Sequence, residues 1–231
     1  MINSTSLISV LMSTYNSEKY VYRSIESILN QSYENFEFLI VDDCSTDNTF
    51  DVLKRYALKN KKINIFKNNS NIGLTKSLNF LITKAKGEII ARQDDDDISK
   101  PERFESQLKV LHKFDLDFCS SRAIILEKNK KIPNISYYLP KKIVMKFKNP
   151  FVHGTLFIKK SVLEEIGRYD TKFYYAQDFK LMKDLVTKGY KYKFINQCLY
   201  YLNTKENIST NYKSQQKYFA DCVKKNIIPL L

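Results

Sequence analysis

The stretch Phe36–Thr49, FEFLIVDDCSTDNT, decides the fold. Phe36–Val41 is a short, almost wholly apolar run, the pattern of a strand buried on both faces. It breaks into the polar turn Asp42-Asp43-Cys44-Ser45-Thr46, and an amphipathic stretch, Asp47–Lys59, follows as a helix. The same unit recurs on either side. Leu7–Met12 reads as a buried strand leading into a helix over Ser17–Gln31, with Ser17 as a plausible cap and Val21, Ile25, Ile28 and Leu29 at helical spacing. Ile63–Phe66 is a third strand, Leu74–Lys86 a helix ended by Gly87, and Glu88–Arg92 a fourth strand. Ser99-Lys-Pro-Glu102 has the form of a capping box for a helix through Lys113, and Phe118–Leu126 is a fifth strand. Strand and helix alternating at this spacing predict a mostly parallel α/β sheet with helices on both faces. In such sheets ligands bind beyond the carboxyl ends of the strands, so the residues after each strand are the candidates for chemistry.

The remainder is looser. EKNKKIPNIS reads as a turn or loop, and the segment from Pro133 to Pro150 as the seam between two halves of one continuous domain. Gly154–Lys159 is strand-like, and Ser161-Val-Leu-Glu164 resembles a second capping box. Asp178–Lys188 is helical and stops at Gly189. Tyr190–Ile195 and Leu199–Leu202 suggest an antiparallel pair, and Lys213–Lys225 a basic amphipathic helix. The expected organisation is a ligand-binding half over 1–126, a second half over 127–205 and a C-terminal basic helix over 206–231, all in one domain.

Composition narrows the classes. The 231 residues are 43% hydrophobic and 13% aromatic, enough for a core, which excludes wholesale disorder. Four cysteines lie far apart without a C-x-x-C pair, which fits neither a disulfide framework nor a zinc site and suggests a reducing, cytoplasmic setting. The N-terminal apolar run has no basic region before it, as a signal peptide would, and no run is long enough to span a bilayer. Net charge is +13. It divides unevenly: residues 1–120 carry 16 basic and 17 acidic side chains, net −1, and residues 121–231 carry 22 and 8, net +14.

Three strand ends carry candidate ligands. Ser13-Thr14-Tyr15-Asn16 offers hydroxyls, an amide and an aromatic face for a base or ribose; an ordinary turn needs nothing more than the same residues. Asp43 is placed to accept hydrogen bonds from a base or ribose, with Asp47 as the helix cap. Gln93-Asp94-Asp95-Asp96-Asp97 sets four carboxylates in a row, whose repulsion a hard divalent cation shared with a diphosphate would relieve. A solvated acidic turn is the alternative, but the run lies between an apolar strand and a helix at the expected ligand edge. Farther on, Asp178 opens a helix, where the helix dipole favours negative charge. It could serve as a general base or simply cap the helix. His153 either faces the site or is structural, and His112 reads as structural. There is no GxxxxGK[ST] loop and no Ser/His/Asp set of known spacing, which argues against P-loop and hydrolase chemistry.

Taken in order, Ile8–Asn16 (ISVLMSTYN), Ser27–Tyr33 (SILNQSY), Phe38–Thr49, Asn71–Asn79 (NIGLTKSLN), Lys86–Arg92, Asp94–Arg103 (DDDDISKPER), Gly167–Asp170 (GRYD) and Gln177-Asp178 resemble the family 2 glycosyltransferases of the GT-A fold. The resemblance implies a Rossmann-like, mostly parallel sheet with a small antiparallel portion on the acceptor side. It implies inverting transfer of a hexosyl or N-acetylhexosaminyl group from a nucleotide diphosphate, most simply UDP, to a hydroxyl of a glycan or lipid-linked acceptor. Ser13, Thr14, Tyr15, Asn16, Asp43, Asp94, Asp95 and, less directly, Lys76 would hold the nucleotide-sugar. Asp94 and Asp96 match the DxD motif, with Mn²⁺ or Mg²⁺ as cofactor, although four consecutive Asp allow a shift of register by one. Asp178 would be the base, with Gln177 standing where the family usually has Glu. His153 and Asp97 would touch acceptor or phosphate. A bacterial surface polysaccharide is the expected product.

Two other readings compete. A nucleotidyltransferase would need a Gly-rich, basic loop for a triphosphate, which is absent. A polyanion-binding module would use the +13, yet no nucleic-acid reader motif accompanies it, and no nucleic-acid partner is expected. The excess charge lies in the second half, in Lys141, Lys142, Lys146 and Lys148 and in Lys213, Lys217, Lys224 and Lys225. It suggests contact with an anionic surface, such as the inner face of the cell membrane or an acidic glycan; a mere drift towards lysine is the alternative.

Overall fold

A computed structural model describes residues 6–205 and 212–230. The expected segments 1–5 and 206–211, with Leu231, lie outside the described residues. The sheet runs β3 (Ile63–Lys67), β2 (Phe36–Asp42), β1 (Ile8–Thr14), β4 (Ile89–Arg92), β8 (Phe157–Lys159), β6 (Phe118–Ile125), β9 (Tyr192–Leu202) and β5 (Ile98–Ser99), with β7 (Lys130–Ile132) paired to β6. β3, β2, β1 and β4 are mutually parallel, in a register that sets Ile8 beside both Phe36 and Ile89. β8 is antiparallel to β4 and to β6, while β9 runs parallel to β6.

Every residue of β1 and β2 is buried, which explains their continuous apolar spelling. Alternate side chains feed two cores. Ile8, Val10, Met12, Phe38 and Ile40 point to the side covered by α1 (Val21–Leu29), α2 (Thr49–Lys59) and α4 (Arg103–Lys113). Leu11, Leu39, Val41 and Ile90 point to the side covered by α3 (Leu74–Lys84), α6 (Lys160–Glu165), α7 (Gln177–Thr187) and α8 (Lys213–Lys225). The second core takes residues from both halves of the chain, Leu39 and Leu78 packing in the same cluster as Met145, Phe179 and Phe219.

Several expectations need correction. Tyr190–Leu202 is not an antiparallel pair. It is one strand, β9, whose polar Asn196-Gln197 step is a bulge: Ser121 pairs with Ile195 but Arg122 with Cys198. Neither capping box caps. α4 starts at Arg103, and the Ser99 hydroxyl donates instead to Gln93 Oε1 at 2.7 Å; α6 starts at Lys160, ahead of Ser161. Ser17 does not cap α1 by its side chain, because its hydroxyl donates to Asp95. Gly87 is not a helix terminator. α3 ends at Lys84, and a Cβ on Gly87 would meet the Leu7 carbonyl at 2.5 Å, so close approach to β1 requires glycine. Gly189, with φ +87°, does follow the end of α7.

Arg103, fully buried, ties the ligand edge to the core. Its guanidinium donates to Gln107 Oε1 (2.9 Å), Gln93 Oε1 (3.1 Å), Ser99 Oγ (2.8 Å) and the Arg92 carbonyl (2.8 Å). Arg103→Ala removes a buried donor from the Gln107 and Arg92 oxygens in a dry interior, and should destabilise the chain by about 3–5 kcal/mol. Urea unfolding checks this; a loss below about 1 kcal/mol would mean that the network carries little stability.

Candidate functional site

The carboxyl ends of β1, β2 and β4 open on one cavity of about 770 Å³, closed on its far side by residues 147–154, the start of α7 and part of α8. The parallel register puts the ends of β1 and β2 level, Thr14 beside Asp42, while β4 ends earlier, with Arg92 beside Leu11.

Ser13, Thr14, Tyr15 and Asn16 all line the cavity. Ser13 and Thr14 are buried, and Tyr15 is exposed at its mouth. Asn16 sits at φ +51°, and its amide oxygen accepts from the Thr46 N–H at 2.8 Å, stitching the first strand-end loop to the second. Asp43 also lines the cavity, but its carboxylate is engaged. Oδ1 accepts from Asn68 Nδ2 (2.7 Å) and the Ile72 N–H (3.0 Å), and Oδ2 from the Gly73 N–H (2.8 Å). Asp43 therefore builds the loop before α3 as well as the cavity wall. Asp47 accepts from the Thr49 N–H at 3.0 Å just ahead of α2, but it is not the cap: Asn48 holds that position and makes no side-chain cap bond.

The four aspartates are treated differently by the fold. Asp94 Oδ1 pairs with Arg92 Nη2 at 2.6 Å. Asp95 accepts from the Ser17 hydroxyl. Asp97 is buried and accepts from the Asn203 N–H at 2.7 Å, which fixes the end of β9. Asp97 also lines the cavity. Asp96 is left with one long contact, from Asn203 Nδ2 at 3.3 Å. Burial, then the Asp95 and Asp94 carboxylates, push Asp96 up to about 8. Burial, with Asp94 and Asp96 beside it, also raises Asp97. The cluster is short of positive charge. Among the described residues no group of three or more His, Cys, Asp or Glu side chains is arranged to hold a metal ion by itself. The donor set suits a hard cation that completes its shell with ligand oxygens.

On the opposite wall, Asp178 lies in the first turn of α7, and its Oδ2 accepts from Asn149 Nδ2 at 2.7 Å. It is not a cap: the residue in that position is Ala176, at φ +53°. Gln177, beside it, also lines the cavity. His153 lines the cavity with Nε2 2.8 Å from the Tyr169 hydroxyl, and burial, then Arg92, lower its pKa. Lys76 is exposed on α3 and is not among the lining residues; its neighbours Thr75 and Ser77 turn inward instead.

Sequence reasoning missed several residues. Gln93, fully buried, donates to the Asp94 and Asp97 carbonyls (3.1 and 3.0 Å) and holds the acidic loop in shape. Arg92, read as the end of a strand, places a buried guanidinium under the cavity, bound to the Leu11 carbonyl at 3.1 Å and to Asp94. Tyr174, Tyr175 and Tyr212 form an aromatic cluster on the wall near α8. Tyr174 packs where a Gly73 Cβ would stand, 2.6 Å away, so the glycine of NIGLT is needed for this contact as well as for its φ of +84°.

A parallel sheet whose strand ends bring hydroxyls and carboxylates around one cavity defines an α/β enzyme with its ligand at the carboxyl edge. The family model described as Glycosyl transferase family 2 matches residues 9–167, and the chain belongs to that family: it is a glycosyltransferase. The O-antigen biosynthesis glycosyltransferase WbnJ of Escherichia coli is 32% identical over 225 residues, covering 92% of this chain and 85% of its own. Among solved structures, TarS of S. aureus in complex with UDP-GlcNAc superposes with a TM-score of 0.75 at 21% identity, over 87% of this chain; the match spans 59% of that TarS chain. The mannosyltransferase PcManGT of Pyrobaculum calidifontis, in complex with GDP-Man and Mn²⁺, gives 0.74 at 18% identity, over 93% of this chain and 62% of its own. At these identities the two structures show the shared fold. Membership of the family sets aside the nucleotidyltransferase and polyanion-binding readings. Among the described residues no helix is long and apolar enough to cross a membrane.

Proposed function

We propose that the chain is an inverting, metal-dependent glycosyltransferase. It moves a hexosyl or N-acetylhexosaminyl group from a UDP-sugar to a hydroxyl of a glycan or lipid-linked acceptor in bacterial surface polysaccharide synthesis. One observation carries the reading. The hydroxyls of Ser13 and Thr14, Asp43, Asp94–Asp96 and the lone carboxylate Asp178 converge on a single cavity from opposite walls. TarS holds UDP-GlcNAc and PcManGT holds GDP-Man with Mn²⁺ on the same fold, and WbnJ is named for O-antigen synthesis.

In this reading Ser13, Thr14, Tyr15, Asn16 and Asp43 receive the nucleoside. Asp94 and Asp96 would hold a divalent cation, which when bound would supply the positive charge that a departing nucleoside diphosphate needs. Asp178 accepts the proton of the acceptor hydroxyl as its oxygen bonds to the anomeric carbon and the bond to the diphosphate breaks. The Asn149 amide, donating to Oδ2, fixes the rotamer of Asp178. The tyrosines on the wall near α8 help to exclude water, which in the acceptor's place would give hydrolysis.

A thermal-shift panel of sugar nucleotides tests the donor class. At a UDP-sugar concentration near 100 times Kd with Mn²⁺, Tm should rise by about 5–10 °C. A shift with GDP-sugars alone would overturn the uridine assignment, and no shift with any sugar nucleotide would overturn the site.

A further inference from the structure

We infer that the segment from Ile135 to Lys148 is a membrane-docking face that seats the chain on an anionic lipid surface. The segment is a 3₁₀ turn, Ile135–Tyr137, followed by the short helix α5, Lys141–Val144, and one further turn. Its inner side packs down, with Ser136, Val144 and Met145 buried. Its outer side is apolar against expectation for a surface: Ile135 is 73% exposed, Tyr138 72%, Phe147 71%, Ile143 52% and Leu139 48%. Exposed apolar residues are ordinary singly, but five within one short segment mark a contact surface.

Charge identifies what it contacts. Lys142, Lys146 and Lys148 are exposed among these residues and have no ion-pair partner among the described residues. No Asp or Glu occurs between Glu127 and Glu164. Lys141, part of the basic run in the sequence, is not available: its ammonium donates inward to the carbonyls of Ser136, Tyr137 and Leu139 and locks the turn. Apolar side chains interspersed with free lysines suit the headgroup region of an anionic bilayer. The same like charges oppose pairing of this face with itself in a second copy. Phe147 and Lys148 also line the cavity, and the next residue, Asn149, holds Asp178. Docking thus sets one wall of the cavity beside the lipid. That the bilayer delivers a lipid-linked acceptor there rests on the proposed function; the docking itself does not.

Co-sedimentation of the full chain with vesicles tests it. Vesicles of equal parts phosphatidylglycerol and phosphatidylcholine should pellet the chain, and phosphatidylcholine alone much less, with binding falling as salt is added. Lys142→Gln with Lys146→Gln should lower partitioning about thirtyfold, and Ile135→Ser with Tyr138→Ser and Ile143→Ser at least about tenfold. These side chains are exposed, so both variants should keep the parent's far-UV circular dichroism and its thermal shift with a sugar nucleotide. No pelleting on anionic vesicles, pelleting that both variants retain, or a dimer that the apolar variant abolishes would each overturn the docking face. If vesicles bind while no sugar nucleotide does, the proposed function falls and docking stands; the converse leaves the proposed function standing and removes docking.

Discussion

Asp178→Asn is expected to lower turnover by about 10²–10⁴ while leaving sugar-nucleotide affinity within a few-fold of the parent. The amide keeps the shape of the side chain and can still meet Asn149, which lies 2.7 Å from Oδ2, so α7 and the cavity wall should survive the change. What it loses is the capacity to take the acceptor's proton. His153 also lines the cavity, and it is poorly placed to substitute. Its Nε2 is occupied with the Tyr169 hydroxyl, and burial with Arg92 nearby disfavours the protonated form it would have to reach. Initial rates and calorimetric titration with the donor separate the two effects. Turnover near that of the parent would mean that the base lies elsewhere.

Asp96→Asn is expected to have the next largest effect, a fall in turnover of about 10²–10³, the range for losing one group that stabilises developing charge. The Mn²⁺-dependent part of the donor's thermal shift should vanish with it. The same substitution has a stability signature. Burial and the Asp95 and Asp94 carboxylates raise Asp96 from its ordinary 3.8 to about 8. Between those values the folded chain holds a proton that the unfolded chain releases, so metal-free stability falls as pH rises through that window. Asp96→Asn should flatten the fall. Asp97, raised in the same direction, keeps part of it. Unfolding midpoints across pH without metal check this; an unchanged slope would show that Asp96 does not carry the excess charge.

The strands and helices of the first half were legible because each is a local pattern: FEFLIV and LISVLM are buried on both sides, and strand ends in such sheets point to the site. Ser13–Asn16, Asp43 and Asp94–Asp96 reach the cavity from those positions, and Asp178 from the first turn of α7. What could not be read was non-local. The insertion of β8 between β4 and β6 joins segments far apart in sequence, and the bulge at Asn196-Gln197 mimics a turn. Ser99 and Ser17 have the spelling of caps but are consumed by Gln93 and Asp95, partners that only the folded chain supplies. Arg92 and Arg103 are charged residues at the centre of the molecule, where hydrophobic patterning gives no signal. The +13 changes meaning in the same way: with Lys141 turned inward, the charge of the second half's basic run rests on side chains interspersed with exposed apolar ones.

A crystal structure of the chain with a UDP-sugar and Mn²⁺ tests the central claim most directly. The account predicts the uracil and ribose among Ser13–Asn16 and Asp43, the metal bound by Asp94 and Asp96 and bridging to the diphosphate, and the anomeric carbon facing the carboxylate of Asp178. A nucleotide bound outside this cavity, or a sugar turned away from Asp178, would contradict it.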